Sequence, residues 1–366
     1  MAWSTPTLRQ VRIMIRDDIM AALSGAVLIG NSVMRVMSDA QAGLAHLVLR
    51  YIDWLARQFL PDTAETEWLD RHGDIWLVNA DGSVGRKPAT LATGIVILTG
   101  VAGTIVASGT QLEGVDVSYE TTEQVTLGSD ETHVAVRALD GGTAGNLEAD
   151  ETLSLIDETF GIDSLATVVV LEGGVDEESD ALLRARVLFR IQRPPMGGDA
   201  DDYVAWTLAV PGVTRAWASP LEMGMGTVTV RFMMDALRVA DGGFPNASDI
   251  ADVKAYLDIK RPVAVKDFFV EAPLPEPISF TISNLDLDGA STRAAIEVSV
   301  RAMLHERGAP GYARNGVPQE AQVIYAAWVS EAILNSAGVN YFDLIMEDHL
   351  MPSPGHMAVL GSVAYA

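Results

Sequence analysis

Cysteine is missing from the 366-residue chain. That excludes disulfides, cysteine-ligated zinc, iron–sulfur clusters and a thiol nucleophile, and leaves stability to packing or assembly. Lysine is scarce: only Lys87, Lys254, Lys260 and Lys266 occur, and 25 basic against 49 acidic side chains give a formal net charge of −24. A surface of that sign repels phosphate backbones, so nucleic acid is not expected as a direct partner. Long apolar runs are lacking too, despite a mean hydropathy of +0.20. Ala21 to Ile29 is interrupted by Ser24 and Gly25 and is about half the length a bilayer requires, so no membrane insertion is expected. The start, Met1 to Thr5, runs into Arg9, Arg12, Arg16, Asp17 and Asp18 and does not read as an export signal.

Catalytic signatures are equally scarce. Neither G-x-x-x-x-G-K-[ST] nor G-x-S-x-G occurs. The six histidines (His46, His72, His133, His305, His349 and His356) show no metal-ligand spacing, and His305-Glu306 lacks the second histidine of a zinc protease. Asn284 to Gly289 imitates the opening of a calcium loop, but Ala295 stands where a bidentate glutamate is needed. Asp176 to Asp180 reads as the acidic start of a helix whose arginines, Arg184 to Arg193, lie toward its end, as the helix dipole favours. Gly224 to Thr227 reads as a hairpin turn. We therefore expect no enzyme and no catalytic, cofactor-binding or metal-binding residues.

What the chain does contain is a long amphipathic helix. Thr5-Pro6 reads as the start of a short helix carrying Leu8, Val11, Ile15 and Ile19. After a break at Gly25 to Gly30, Asn31 or Ser32 can cap a second helix without internal proline until Pro61, about 40 Å long. Its apolar residues Val33, Met37, Ala40, Leu44, Leu47, Tyr51 and Trp54 follow alternating steps of four and three, the spacing of a helix that packs along its length against a partner. A third helix, with Asp62 and Glu65 as a capping box, carries Trp68, Leu69, Ile75 and Trp76 toward Gly82. A partner of about four turns and one of about three cannot cover seven turns or more, so the stripe is expected to form a helix bundle between molecules.

From Thr90 the period changes to short β-rich runs, Ile95 to Leu98, Thr104 to Val106, Val115 to Val117 and Val134 to Val136, punctuated by glycines. After Gly173-Gly174, helices near 177–192, 199–209 and 248–260 alternate with strands near 213–218, 227–233 and 263–270. Ala272 to Pro277 reads as a stiff proline-rich linker. Beyond it come a strand at 278–287, helices at 292–307 and 319–335 and a strand at 340–346. The expected fold is multidomain α+β: bundle-forming helices at 1–85, a small all-β domain at 86–171, a central α+β domain at 172–272 and a C-terminal α+β domain at 273–366.

The order of these segments resembles the baseplate J-like family of contractile-tail bacteriophages, in particular the wedge subunit of Mu-like phages. The resemblance is carried by Gln58 to Glu65, Leu69-Asp70-Arg71, the run Arg86 to Gly94, Gly100 to Thr110, Gly141 to Asn146, Gly173 to Arg186, Asp202 to Trp206 and Pro211 to Trp217. It implies a virion protein of the tail baseplate, made in the host cytoplasm and present as two copies per wedge. Its long helix would join a bundle with a neighbouring wedge protein. Its other domains would build a ring around the central hub and spike and pass the attachment signal to the sheath by a change in subunit packing. Two other readings stay open on sequence alone. A tail-associated peptidoglycan hydrolase would show a deep pocket with two carboxylates at glycosidase spacing, and a receptor-binding module an exposed aromatic patch on a trimeric tip.

Overall fold

The computed structural model describes residues 4–23, 32–157, 160–263, 265–314, 317–318, 320–336 and 339–366. It is a mixed α+β protein with several sheets, one of them closed. Helix α1 (Leu8–Ala22) does not begin at Thr5-Pro6. Thr7 and Gln10 form a reciprocal capping box that satisfies two N–H groups at once. Ser32 caps α2 (Val33–Gln58), accepting from the Arg35 N–H; Gly25 to Asn31, including the expected break, lie outside the described residues. Helix α3 (Thr66–Trp76) has Glu65 at its N-cap with no side-chain capping bond. The expected Asp62 capping box does not form, because the Glu65 carboxylate instead accepts from Trp54 Nε1 at 3.1 Å.

Eight strands follow: β1 (Leu91–Gly100), β2 (Ile105–Val106), β3 (Gln111–Glu113), β4 (Ser118–Thr121), β5 (Val125–Thr126), β6 (Thr132–Gly141), β7 (Thr152–Leu155) and β8 (Ile162–Glu172). Six close into an antiparallel barrel in the order β1-β6-β4-β3-β7-β8, while β2 pairs with β5. Period-two burial fills it: Val96, Leu98, Val134, Val136, Leu153 and Val168 point inward. At Gly94 a Cβ would collide with the Val170 carbonyl across the β1–β8 ladder, so glycine permits that closure. Val115 to Val117 is not a strand. It lies in the β3–β4 turn, closed by the Gly114 N–H on the Val117 carbonyl at 3.0 Å. The chain enters and leaves the barrel at one neck, where Thr90 and Val175 exchange both backbone hydrogen bonds at 2.9 and 3.4 Å.

Beyond the neck come α4 (Asp180–Gln192), α5 (Ala200–Leu208), β9 (Arg215–Pro220), β10 (Thr227–Met233), α6 (Ala247–Lys260) and β11 (Asp267–Glu271). Strand β10 is buried at every residue, pairing antiparallel with β9 through the Gly224 to Gly226 hairpin and parallel with β11 through α6. Tyr203, Val230, Phe232, Val253 and Leu257 form the core between sheet and helices.

The last region holds β12 (Leu274–Ser283), α7 (Ala290–Arg307), β13 (Ala313–Arg314), β14 (Val317–Pro318), β15 (Val323–Ile324), α8 (Ala326–Leu334), β16 (Asp343–Ile345), β17 (His349–Leu350) and β18 (His356–Tyr365). The expected proline-rich linker is instead the first half of β12, paired in parallel with β18. Leu274 N–H donates to Gly355 and Ile282 C=O accepts from Ala366, so even-numbered residues direct their backbones at β18. Pro275 and Pro277 are odd-numbered and face the other side, where β16 begins only opposite Ser283 to Thr281. A missing N–H costs no ladder bond there. The helix expected from Gln319 starts at Ala326, after β15, and the Ala326 N–H donates to Asp348 at 2.9 Å.

Candidate assembly interface

Helix α2 has two opposite faces. Toward α1 it presents Arg35, Ser38, Asp39, Ala42, His46 and Leu49, with the small residues Ser38 and Ala42 fully buried. There Arg16 Nη2 donates to both carboxylate oxygens of Asp39 at 2.7 and 2.9 Å. Half a helical turn away lies the predicted stripe. Val33, Met37, Leu44, Leu47 and Tyr51 are 75%, 58%, 65%, 68% and 61% exposed, and Ala40 is exposed with them. Trp54 turns aside: it is half-buried, 5.7 Å from the Tyr51 ring and 6.3 Å from Trp68. Six of the seven predicted residues thus share one uncovered face, and the seventh joins the helix to its base. Val36, Val48, Phe59 and Leu60 extend the exposed apolar surface. Since α1 has 15 residues and α2 has 26, α1 could not have covered the whole length.

The base of α2 is tied to the central region by charged groups. Arg184, expected to serve the α4 dipole, donates to the carbonyls of Pro61 at 3.0 Å and Ala64 at 2.7 Å. Arg86 bridges Asp70 and Asp180. Burial acts to lower its pKa, but the hydrogen bonds to Asp180 and Asp70 outweigh that and raise it. Deeper, Arg186 pairs with Glu178 at 2.6 Å and donates to Asn79 at 2.6 Å. Lys87 caps the C-terminal end of α5, its Nζ donating to the carbonyls of Leu208, Val210 and Val213 at 3.1, 3.2 and 2.9 Å. Desolvation, with the neighbouring Arg186 charge, pulls the Lys87 pKa down to about 8, against the opposing pull of Glu178. Leu69 and Leu77 meet Leu183 and Val187 in a small shared core. Residues 61–88 and 176–213 are therefore one packed unit with the barrel inserted between them.

The remaining chemical candidates are occupied by structure. In the calcium-like segment Asp286 accepts from the Asn340 backbone and side chain, and Asp288 takes a two-point contact from Arg293. The acidic run divides its work: Asp176 holds Thr143, Ser179 caps α4, Asp180 binds Arg86 and Thr66, and Glu178 is buried on Arg186. Among the described residues no group of three or more His, Cys, Asp or Glu is placed to hold a metal ion, and no helix is long and apolar enough to cross a membrane.

Comparison with known proteins agrees with this architecture. Residues 95–174 match the Baseplate J-like protein barrel domain and residues 195–272 the Baseplate J-like central domain. The chain is similar to the Mu-like prophage FluMu protein gp47 of Haemophilus influenzae, with 32% identity over 92% of each chain. It is also similar to Baseplate protein gp47 of Escherichia phage Mu, with 36% identity over 70% of each. A third relative, Putative protein JayE of Escherichia coli K12, is 30% identical over 72% of this chain and 95% of its own. With the same barrel, the same central domain and a Mu-type relative matched over nearly its whole length, the chain belongs to the baseplate J-like family of Mu-type phage proteins.

Proposed function

We propose that the protein is a non-catalytic structural subunit of the wedge in a contractile phage-tail baseplate, residing in the virion after synthesis in the host cytoplasm. The observation that carries this reading is the uncovered stripe of α2, six apolar side chains on the face opposite α1. Water penalises such a stripe on a free surface, and a helix bundle removes the penalty. Its partners are a neighbouring wedge protein and a second copy of the chain. The family relationship and the baseplate protein of phage Mu support the tail location. The rest of the chain contributes three modules: the barrel, the unit of α3 with α4 to α6, and the C-terminal sheet with α7 and α8. These form a ring around the hub and spike and relay attachment to the sheath by repacking between two assembled states, with no bond made or broken.

The test is a double charge insertion, Leu44→Asp with Leu47→Asp, in a chain co-expressed with its genomic neighbours. Both residues are exposed in the single chain, so the variant keeps its melting temperature but no longer co-purifies with the partner. Retained co-purification would sink the proposal.

A further inference from the structure

The cleft enclosed by the end of α3 with α4, α5 and α6, about 230 Å³, inverts the charge of the molecule. Arg186, Arg190, Arg193 and Lys260 line it against a single carboxylate, Asp202, in a chain with 25 basic and 49 acidic residues. Two of these charges are consumed internally: Arg186 by Glu178 and Asn79, and Asp202 by the N–H groups of Met196, Gly198 and Asp199. Arg193 shares Asp201 at the rim. Lys260 rests over the Tyr256 ring at 5.6 Å, and Arg190 has no acidic or hydrogen-bonding partner among the described residues. The walls are aromatic, with Trp76 still 42% exposed. Unspent cations between apolar walls suit an acidic segment with an apolar tip.

The same chain carries that counterpart. Residues 91–172 contain fourteen acidic side chains and one basic, Arg137, which is spent on Glu120. At the β3–β4 turn Val115 is 93% exposed, flanked by Glu113 and Asp116, whose carboxylates have no hydrogen-bonding or ionic partner among the described residues. No residue of the chain's own barrel lines the cleft. We infer that the cleft of one copy receives the β3–β4 tip of the barrel of a second copy, a head-to-tail contact. Val115 enters between Trp76 and Tyr256, while Glu113 and Asp116 meet Arg190 and Lys260. Two different patches meet, so the contact propagates from copy to copy until a rotation closes it. It extends the assembly reading but uses none of the α2 stripe.

The experiment uses the full chain carrying Leu44→Asp and Leu47→Asp, so that the stripe is silent. Sedimentation velocity is run over a concentration series at about 0.15 M ionic strength, where the screening length is about 8 Å and long-range repulsion between acidic copies is damped. Association persists. Arg190→Glu with Lys260→Glu weakens it about tenfold or more, and Glu113→Lys with Asp116→Lys does the same. Combining both pairs of reversals in one chain restores it. A monomeric stripe-silenced chain, or a combined variant as weak as its parents, overturns the inference without touching the α2 proposal. A second readout guards against misfolded variants. Because the chain has no cysteine, a Val115→Cys chain mixed with a Lys260→Cys chain can form only the introduced disulfides. The mixed heterodimer predominates if the contact is real, and predominance of either homodimer overturns it.

Discussion

The barrel and the α1–α2 pair solve the same problem in opposite ways. In the barrel, apolar side chains alternate inward and fifteen are buried in one core, twelve of them larger than alanine. In α2 the buried residues are Ser38, Ala42 and Gln58, while Val33, Met37, Leu44, Leu47 and Tyr51 face out. One region completes its own core. The other holds α1 on small residues and leaves its hydrophobic face exposed. Hydrophobicity alone therefore says little about where a core lies, and the identity of the residue facing the neighbouring element says more.

The strongest way to break this contrast is to truncate matched leucines. Leu98→Ala in the barrel empties a buried site and costs about 2–5 kcal/mol in denaturant unfolding. Leu47→Ala, at an exposed site, changes stability by no more than about 0.5 kcal/mol. Comparable losses at the two positions would mean that the stripe is covered within the single chain. An effect of similar size is expected at the ionic latch that joins the segment after α3 to α4. Arg186→Met leaves Glu178 as a buried, unpaired charge and lowers unfolding free energy by about 3–5 kcal/mol, nearer the lower figure if Glu178 takes up a proton.

A third test reads Lys87 through pH. Its folded pKa of about 8 lies below the ordinary 10.5, so between these values the unfolded chain holds more protons than the folded one. Stability from this group therefore rises as pH climbs from about 8 toward 10.5, and is flat below. Wild type compared with Lys87→Met across that range should show the slope only in wild type; parallel curves would rule out a desolvated lysine. The smallest effect is at the α1 cap, where Thr7→Ala removes one half of the capping box and costs about 0.5–2 kcal/mol of local helix stability, measured by amide exchange in α1.

Much of this was legible from periodicity. Of the six barrel strands only β1 and β6 show as β-rich runs, at Ile95 to Leu98 and Val134 to Val136, and the stripe from Val33 to Tyr51 shows as steps of three and four, because these signals are local. Features that depend on distant partners were not. Ala272 to Pro277 reads as a linker because proline is rare in sheets, and only the parity of Pro275 and Pro277 relative to β18 reconciles them with a strand. Strand β18 itself, with alanines, glycine and serine among its apolar residues, becomes recognisable only once Leu274 to Ile282 lies beside it. Among the latch residues, Lys87 reaches a carbonyl 126 positions away and Arg186 an amide 107 away. The visible clue was that Arg184 and Arg186 stand on different sides of α4, more than a dipole requires.

The neck at Thr90 and Val175 has a consequence for how the chain is made. The segment from Pro61 to Lys87 packs partly on the end of α2, but Arg184, Arg186, Leu183, Val187 and the carbonyls that hold Lys87 all lie beyond the barrel in sequence, so on the ribosome the segment emerges without these partners. At about 5–20 residues per second, roughly ninety residues of barrel take about 5–20 s to synthesise. During that interval Leu69, Leu77 and the Lys87 ammonium remain in water, and the barrel, whose strands are all in hand by Glu172, is free to fold first. The finished barrel then brings residue 90 alongside residue 175 and shortens the loop across which the latches must close.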